Sequence, residues 1–250
     1  MDDFAELRTK LLDGLSMLML SESPQADALR AVSSIIGSKG LRAALFGGVL
    51  RDLVVFENKQ APRDFDIVVD VDAKALFDLF HDKVRRRTRF GGLHVLYEGW
   101  PLDIWPLDQT WAFQHMAIAP TFENLPKTTF LNVEAIAVDL SNADHSRRAV
   151  YEDGFFSAIA NRTVEINLRE NPYPSLCVVR SLITACKLNF VISKDLINYI
   201  RQYGAPLTLP DIDRIQNEHY GRPQLPSNLI RSWIDDVLKN FTAPAMLVRQ

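Results

Sequence analysis

Two acidic residues separated by a single position, Asp64 and Asp66, carry the clearest chemical signal in the sequence. They stand at the start of an apolar segment, Phe65 to Asp70, that is typical of a β-strand. Side chains at positions i and i+2 of a strand point to the same face of a sheet. We therefore expect both carboxylates to face one way. Paired carboxylates are oxygen ligands that Mg²⁺ accepts while it keeps other positions for water and substrate phosphates.

A pair of glycines upstream fits the same chemistry. Gly47 and Gly48 follow a predicted buried strand, Leu41 to Phe46, and precede a short amphipathic helix, Val49 to Phe56. Glycines before a helix let the backbone approach a phosphate, and the helix N-terminus adds N–H donors and a positive dipole end. Neither the P-loop pattern nor the G-x-G-x-x-G dinucleotide pattern is present. The order strand, Gly-Gly, helix, D-x-D strand therefore predicts a metal–triphosphate site of another kind.

A third carboxylate, Asp103, lies inside an apolar segment. Gly92 to Tyr97 and Leu102 to Leu107 are predicted as two strands joined by a turn at Glu98 to Pro101. An acidic side chain in a buried strand is unfavourable unless it is paired or bound to a metal ion. Three carboxylates from adjacent strands can hold two metal ions that clamp the oxygens of an in-line displacement. The alternative is that Asp64 caps a turn and Asp103 forms a salt bridge.

The segment from Leu45 to Asp70 resembles the head domain of the class II nucleotidyltransferases, the bacterial poly(A) polymerases and CCA-adding enzymes, with their G-G-x-V-R-D and D-x-D motifs. The resemblance continues through Arg85 to Val95 and Thr129 to Leu140. Ser175 to Phe190 is similar to the family's neck helix. The resemblance implies an α+β fold. A nucleotidyltransferase head of a mixed β-sheet packed on helices would occupy residues 1–170, and a small helical neck domain would occupy 171–250.

The resemblance also implies an activity and a set of site residues. The activity is a metal-dependent transfer of a nucleoside monophosphate from an NTP to an acceptor hydroxyl, with release of pyrophosphate and two Mg²⁺ ions at the site. The expected catalytic and metal-binding residues are Asp64, Asp66 and Asp103, and the expected nucleotide-binding residues are Gly47, Gly48, Arg51, Asp52 and Arg180. Arg51 would steady either the triphosphate or the helix. Asp52 would either bind Arg51 or position the loop.

Two family motifs are altered in this chain. The family's third-motif Arg-Asp falls on Thr129 and Phe130, and the Glu-Asp before the neck helix falls on Tyr173 and Pro174. In the family the neck segment reads the incoming base, and Arg180 is the neck arginine that remains. The nucleotide therefore stays open. The acceptor by resemblance is an RNA 3′ end or a tRNA, with a small molecule or a protein hydroxyl as alternatives. A non-catalytic nucleotide-binding or interaction protein is the other class.

The overall composition narrows the class of protein. With 47% hydrophobic and 24% charged residues, the chain of 250 residues has the balance of a globular protein that buries a sizeable core. Its net charge of −3 weighs against an extensive nucleic-acid footprint, which usually shows as a basic surplus. A local basic run follows a predicted helix, at Arg85, Arg86, Arg87 and Arg89. This run could hold a triphosphate or a nucleic-acid backbone, or be a solvated charge run.

The sequence predicts a cytoplasmic protein without a membrane segment. No apolar run is long enough to span a bilayer, and the first residues lack the basic-then-apolar pattern of a signal peptide. Cys177 and Cys186 are nine positions apart in one predicted helix. They are too distant to bridge, so we expect free thiols suited to a reducing compartment. The oligomeric state stays open.

Overall fold

The computed structural model describes residues 4–57, 62–88, 91–141 and 147–240. These residues form two compact units. The first unit comprises the chain up to Thr129 together with Glu134–Phe156, and the second comprises Phe130–Val133 together with the chain from Ser157 onward. The units divide at Phe156–Ser157, earlier in the chain than the expected boundary between residues 170 and 171.

The first unit is built on a mixed β-sheet. In the described residues its seven strands are β1 Ala43–Phe46, β2 Phe65–Val69, β3 Val84–Arg87, β4 Leu93–Tyr97, β5 Trp100–Pro106, β6 Ile136–Asp139 and β7 Val150–Glu152. Their order across the sheet is β3-β4-β5-β2-β1-β6-β7. The pair β2–β5 runs parallel, whereas the other adjacent pairs run antiparallel. The α+β class with a mixed sheet is confirmed.

One face of this sheet packs against helices. The helices of the region are α1 Ala5–Leu20, α2 Pro24–Ser38, α3 Gly48–Phe56, α4 Ala73–Phe80, α5 Trp111–His115 and α6 Phe155–Asn161. Contacts from α2, α3 and α4 reach strands β1, β5 and β6, and α1 packs on α2 and α3. Alternate strand residues such as Leu45, Ile67 and Ile104 are fully buried beneath them. The period-2 pattern of each strand supplies this apolar face.

The opposite face carries a second apolar cluster at one end and acidic residues at the other. The cluster includes Ala44, Phe46, Val68 and Ala137 of the sheet, with the partly buried Trp105 packed against it. Val68 follows Asp66 by two positions, and Trp105 follows Asp103 by two. Both acids therefore lie on the face that the cluster covers, beyond its edge.

The second unit is helical. Its long helices are α7 Pro174–Leu188, α8 Lys194–Gly204, α9 Leu209–Tyr220 and α10 Ser227–Asn240, and a short parallel pair joins β8 Thr163–Val164 to β9 Val191–Ile192. Fully buried side chains such as Val178, Tyr199, Ile212 and Ile230 form its core. This small helical domain agrees with the expected fold class. Cys177 and Cys186 of α7 are free thiols.

Three elements differ from the sequence-based expectation. Helix α9 is not among the predicted elements. It contains Pro210 in its first turn, where proline is tolerated, and Thr208 and Asp211 form a capping box there. The arginine run was not predicted to be a strand, yet Val84–Arg87 is the edge strand β3. Strand β5 begins at Trp100 rather than Leu102.

The early start of β5 follows from a tight hairpin. Glu98 and Gly99 both have positive φ, 48° and 81°, and Tyr97 pairs with Trp100. A two-residue turn of this kind matches the twist of the flanking strands and fixes their register. The predicted four-residue turn from Glu98 to Pro101 is thus wrong by two residues, which changes every cross-strand partner in the hairpin.

No helix in the described part of the chain has both the length and the apolar character needed to cross a membrane.

We predict that Gly99→Ala destabilises the protein by about 1–2 kcal/mol, because a β-carbon is unfavourable in the left-handed conformation. Gly37→Ala is the matched control. A β-carbon at Gly37 in α2 would meet no heavy atom within 4 Å, and its φ is not positive. We expect this variant to be neutral or more stable by up to about 1 kcal/mol. Urea denaturation followed by circular dichroism measures both, and equal effects would contradict the turn assignment.

Candidate active site

The turn between β1 and α3 depends on Gly47. Its φ of 74° and ψ of −132° lie in a region that only glycine adopts readily. The Gly47 N–H donates to the carbonyl oxygen of Ile136 at 3.0 Å, which ties the turn to β6. Phe46 pairs with Asp66, so the chain leaves β1 at the edge of the sheet where β2 begins. The two glycines therefore lie next to the acidic segment.

Asp66 and Asp103 are aligned on neighbouring strands. The parallel register of β2 and β5 pairs the two residues directly. Paired residues of adjacent strands present their side chains on the same face, and both side chains are half-buried. Asp64 precedes β2 and is separated from Asp66 by the fully buried Phe65. Because Asp64 lies outside the strand, its position on the same face as Asp66 stays a prediction from alternation.

The same row of the sheet continues to its edge. The register pairs Asp103 with His94 on β4, and His94 with Arg86 on β3. The four side chains therefore follow one another across four strands in the order Arg86, His94, Asp103, Asp66. Two acidic groups thus lie beside an imidazole, with an exposed guanidinium-bearing residue at the sheet edge. The neighbouring Arg87 stacks on Phe77, and Arg89 lies outside the described residues.

His94 contacts Asp103 directly. The Nδ1 atom of His94 lies 2.7 Å from Oδ1 of Asp103. Because an ionised carboxylate only accepts hydrogen bonds, the imidazole Nδ1–H is the donor. Sequence reasoning missed this residue, because its pairing with Asp103 depends on the register of the β4–β5 hairpin. The signal that identifies it is the two-residue turn at Glu98-Gly99, from which counting outward pairs position 94 with position 103.

Arg51 and Asp52 belong to a buried ionic cluster with Glu134. The guanidinium Nη2 lies 2.8 Å from Asp52 Oδ1, and Nη1 lies 3.0 Å from Glu134 Oε1. We call these three residues the Arg51 cluster. Arg51 and Glu134 are about 94–95% buried, from relative exposures of 6% and 5%. The cluster joins the first turn of α3 to the segment before β6, and so it holds the Gly47 turn. The role of Glu134 was open from the sequence.

Arg180 and the altered motif positions lie in or beside the second unit. Arg180 is a half-buried residue of α7, whereas the other expected site residues lie in the first unit. Phe130 packs its ring against Tyr199 at a centroid distance of 4.9 Å. The Thr129 hydroxyl donates to the carbonyl oxygen of Pro126 at 3.0 Å. In this chain the positions that correspond to the third-motif Arg-Asp thus make packing and local backbone contacts.

The carboxylates of Asp64, Asp66 and Asp103 differ in how well they suit Mg²⁺. In the described part of the chain, no cluster of three or more His, Cys, Asp or Glu residues is suited to a metal ion. Asp64 is ion-paired with Arg63, whose Nη2 lies 2.8 Å from Oδ2 of Asp64. Asp66 and Asp103 remain as two aligned carboxylates on one face. Mg²⁺ is commonly held by one or two carboxylates together with water and substrate phosphates, so this pair fits the ion.

A cleft of about 280 Å³ opens beside the two carboxylates. Asp66 and Asp103 form part of its wall, and Trp105, Gln109 and Trp111 line the remainder together with smaller residues. We call it the indole cleft. It lies on the β5 side of Asp66, whereas the Gly47 turn lies on the β1 side. The acidic pair is therefore bordered by a backbone turn on one side and by a largely apolar cleft on the other.

The fold is similar to that of solved CCA-adding and tRNA-processing enzymes. The CCA-adding enzyme of Thermotoga maritima complexed with tRNA superposes with a TM-score of 0.63 at 15% identity, covering 88% of this chain and 53% of that one. A CCA-adding enzyme with ATP gives a TM-score of 0.62 at 15% identity, with coverages of 88% and 53%. The apo form I of a tRNA-processing enzyme gives 0.56 at 17% identity, with coverages of 88% and 59%.

At these identities the likeness establishes the fold alone, an α+β fold shared with these enzymes. The chain spans only 53–59% of the length of these three structures. No protein-family model matches the sequence, and no curated protein does.

We predict that Arg51→Ala destabilises the protein by about 3–5 kcal/mol, because it leaves the carboxylate of Glu134 buried without this cation. Arg63→Ala is the matched control, since Arg63 is exposed and pairs with Asp64 at the surface. We expect a loss of no more than about 1 kcal/mol for the control. Urea denaturation of the two variants measures both free energies of unfolding. Similar losses would show that the Arg51 cluster does not hold the turn.

Proposed function

We propose that this chain is a nucleotidyltransferase that transfers a nucleoside monophosphate from an NTP to a hydroxyl group at the 3′ end of an RNA. One observation carries the proposal: Asp66 and Asp103 are register partners on parallel strands, and the Gly47–Gly48 turn leaves the sheet beside them. Two aligned carboxylates next to a glycine turn and a helix N-terminus combine the ligands for a divalent cation with backbone donors for phosphate. Few other reaction classes require both.

Each part of the site has a distinct task in this reaction. The N-terminus of α3, entered through Gly47 and Gly48, supplies N–H groups and a positive dipole end for the phosphates. Asp66 and Asp103 supply the oxygen ligands for Mg²⁺, and Asp64 is the other carboxylate of the D-x-D motif. Bound Mg²⁺ would neutralise the charge that develops on the phosphate oxygens during transfer. The Arg51 cluster keeps the glycine turn in place.

The proposed reaction is an in-line displacement at the α-phosphorus of the NTP. The acceptor oxygen forms a bond to the α-phosphorus, the bond from that phosphorus to the bridging oxygen of the β-phosphate breaks, and pyrophosphate leaves. The proton of the acceptor hydroxyl passes to solvent water in the same step, and the negative charge of the adjacent carboxylates favours its departure. His94 acts through Asp103, because its hydrogen bond fixes the orientation of that carboxylate.

The ligands of the structural neighbours support the choice of NTP donor and RNA acceptor. Those neighbours include a CCA-adding enzyme with ATP, another with CTP, and one complexed with tRNA. We therefore propose an NTP as donor and a tRNA-like 3′ end as acceptor. A small-molecule or protein hydroxyl is distinguished from it by the choice of acceptor in the assay.

A second candidate is a nucleotide-binding protein without catalytic activity. One observation favours it: Asp64 and Asp103 are already engaged by Arg63 and His94, and no three-residue metal cluster exists among the described residues. Such a protein would bind Mg²⁺ and NTP with Asp66 and Asp103 but would transfer nothing.

We predict that Asp66→Asn and Asp103→Asn each lower the rate of nucleotide transfer by about 10²- to 10³-fold, the loss typical of removing one group that stabilises transition-state charge. The assay incubates the protein with each of the four α-³²P-labelled NTPs, Mg²⁺ and total RNA or protein extract. Asp78→Asn, an exposed carboxylate on α4, is the matched control and should retain full activity. Chelation of the metal should abolish transfer.

The outcomes separate the two candidates. Label that the wild type transfers to RNA and the two variants do not supports the proposal. Label transferred to protein would show that the acceptor is a protein hydroxyl and not an RNA 3′ end. Absence of transfer, together with Mg²⁺-dependent NTP binding that Asp66→Asn removes, would favour the non-catalytic protein. Absence of both transfer and binding would refute the site.

We predict that His94→Ala lowers kcat by about 10- to 100-fold, the usual effect of removing a residue that orients a metal ligand. His94→Asn should recover much of this loss, because the asparagine amide can donate from a position close to that of Nδ1. The KM for NTP should change little in both variants. If His94→Asn is as slow as His94→Ala while both remain folded, the hydrogen bond to Asp103 has no part in positioning it.

A further inference from the structure

The site has two sides, and the strand order keeps them apart. Across the sheet the order is β4-β5-β2-β1, so Asp66 of β2 lies between the Gly47 turn of β1 and Asp103 of β5. The backbone donors for phosphate are on the β1 side. The indole cleft, which includes Asp103 in its wall, is on the β5 side. A reaction of two substrates needs two such places, one on each side of the acidic pair.

The walls of the indole cleft are suited to a planar aromatic group. Trp105 is fixed because its indole N–H donates to the Thr110 hydroxyl at 3.0 Å. Trp111 stacks in parallel on His115, with ring centroids 5.0 Å apart and an interplanar angle of 15°. Both indoles are thus held by contacts on their own segment. Indole rings held in this way are the usual stacking platforms for nucleic-acid bases.

The cleft also contains a polar group that can hydrogen-bond to a base edge. Within the described part of the chain, the Gln109 amide has no hydrogen-bond partner. An amide offers both donors and an acceptor, which is the pairing capacity that a base edge requires. The facing wall is tight at Gly92, where a β-carbon would lie 2.9 Å from Trp105 Cβ and 2.9 Å from Thr88 Oγ1. Only glycine allows the strands to approach here.

We propose that the indole cleft binds the terminal nucleoside of the acceptor RNA and brings its hydroxyl next to Asp103. This inference rests on the proposed function and adds the acceptor subsite to it. The base stacks on the indole wall, and Gln109 contacts its edge. The volume of about 280 Å³ suits one nucleoside, being near the lower end of the range of about 300–1,000 Å³ for small-molecule sites. The rest of the RNA lies outside the cleft.

The NTP base is the competing occupant, and the geometry disfavours it. An NTP whose phosphates lie over the Gly47–Gly48 turn has its phosphate chain on the β1 side of Asp66. Asp66 and Asp103 both border the cleft, and Asp103 lies one strand further from that turn. The acceptor hydroxyl must reach the α-phosphate from the side opposite the leaving pyrophosphate, because the displacement is in line. Of the two substrates, the acceptor therefore belongs on the β5 side.

The test compares kinetics and binding in cleft variants. We expect Trp111→Ala to raise the KM for the RNA acceptor by about 5- to 150-fold, the range found when a base-stacking side chain is removed. The KM for NTP should not change. Trp111→Phe should keep most of the acceptor affinity, because it keeps an aromatic face. Tyr97→Ala is the matched control: it removes an aromatic ring from the far end of β4, outside the cleft, and should alter neither KM.

A binding measurement keeps the test independent of catalysis. Fluorescence anisotropy of a short 5′-labelled RNA is compared with that of the same RNA whose 3′-terminal nucleotide lacks its base. The wild type should bind the abasic RNA more weakly by about the same factor, 5- to 150-fold, and Trp111→Ala should bind both RNAs equally. If the wild type shows this difference in binding but transfers no label, the acceptor subsite is supported and the proposed transfer activity is contradicted.

Three results would overturn the inference. A rise in the KM for NTP with an unchanged KM for RNA would assign the cleft to the incoming base. Equal binding of the normal and abasic RNAs by the wild type would show that no terminal base enters the cleft. Unchanged acceptor KM in a folded Trp111→Ala variant, checked by circular dichroism, would show that the indole wall makes no contact with the RNA.

Discussion

The parallel pairing of β2 with β5 brings two like charges side by side, and the rest of the site depends on how the fold tolerates them. Paired residues of adjacent strands are close neighbours, and like charges there are destabilising. Ile67 and Ile104, which come next in the same register, are fully buried beneath the helices and hold the two strands together. The hydrogen bond from His94 Nδ1 to Asp103 Oδ1, at 2.7 Å, gives one of the two carboxyl groups a partner on β4. The remaining repulsion favours binding of a cation on this face.

A second constraint acts on the glycine turn. Because Gly47 is in a conformation that other residues avoid, the turn persists only if its surroundings determine it. The Arg51 cluster constrains the turn on its buried side, where one guanidinium contacts carboxylates from α3 and from the segment before β6. A backbone hydrogen bond from the Gly47 N–H to the carbonyl oxygen of Ile136 constrains the turn further. Charged groups of the sequence signature thus support the glycine turn from its buried side.

Local periodicity predicted the parts of the site that depend on one strand, whereas pairing between strands decided the rest. The common face of Asp64 and Asp66 is a prediction from alternation. The α+β class, which the family resemblance implies, is confirmed by the mixed sheet. The contact between His94 and Asp103 depends on the length of one turn, and a two-residue error at Glu98-Gly99 was enough to hide it. Glu134 lies in a short 3-10 turn before β6, where strand alternation gives no direction to a side chain. Its partner Arg51 is 83 positions away in sequence.

The altered motifs bear on how this chain would choose its nucleotide. The resemblance assigns base reading to the neck segment, but Tyr173 and Pro174, where α7 begins, replace the family's two acids. Phe130 packs against Tyr199. The rings at the altered positions, Tyr173 and Phe130, do not offer the set of donors and acceptors that distinguishes one base edge from another. Stacking on a ring is tolerant of base identity. A chain with this composition at the neck would discriminate less through the incoming base. Its specificity would then depend more on which 3′ end reaches the carboxylate pair.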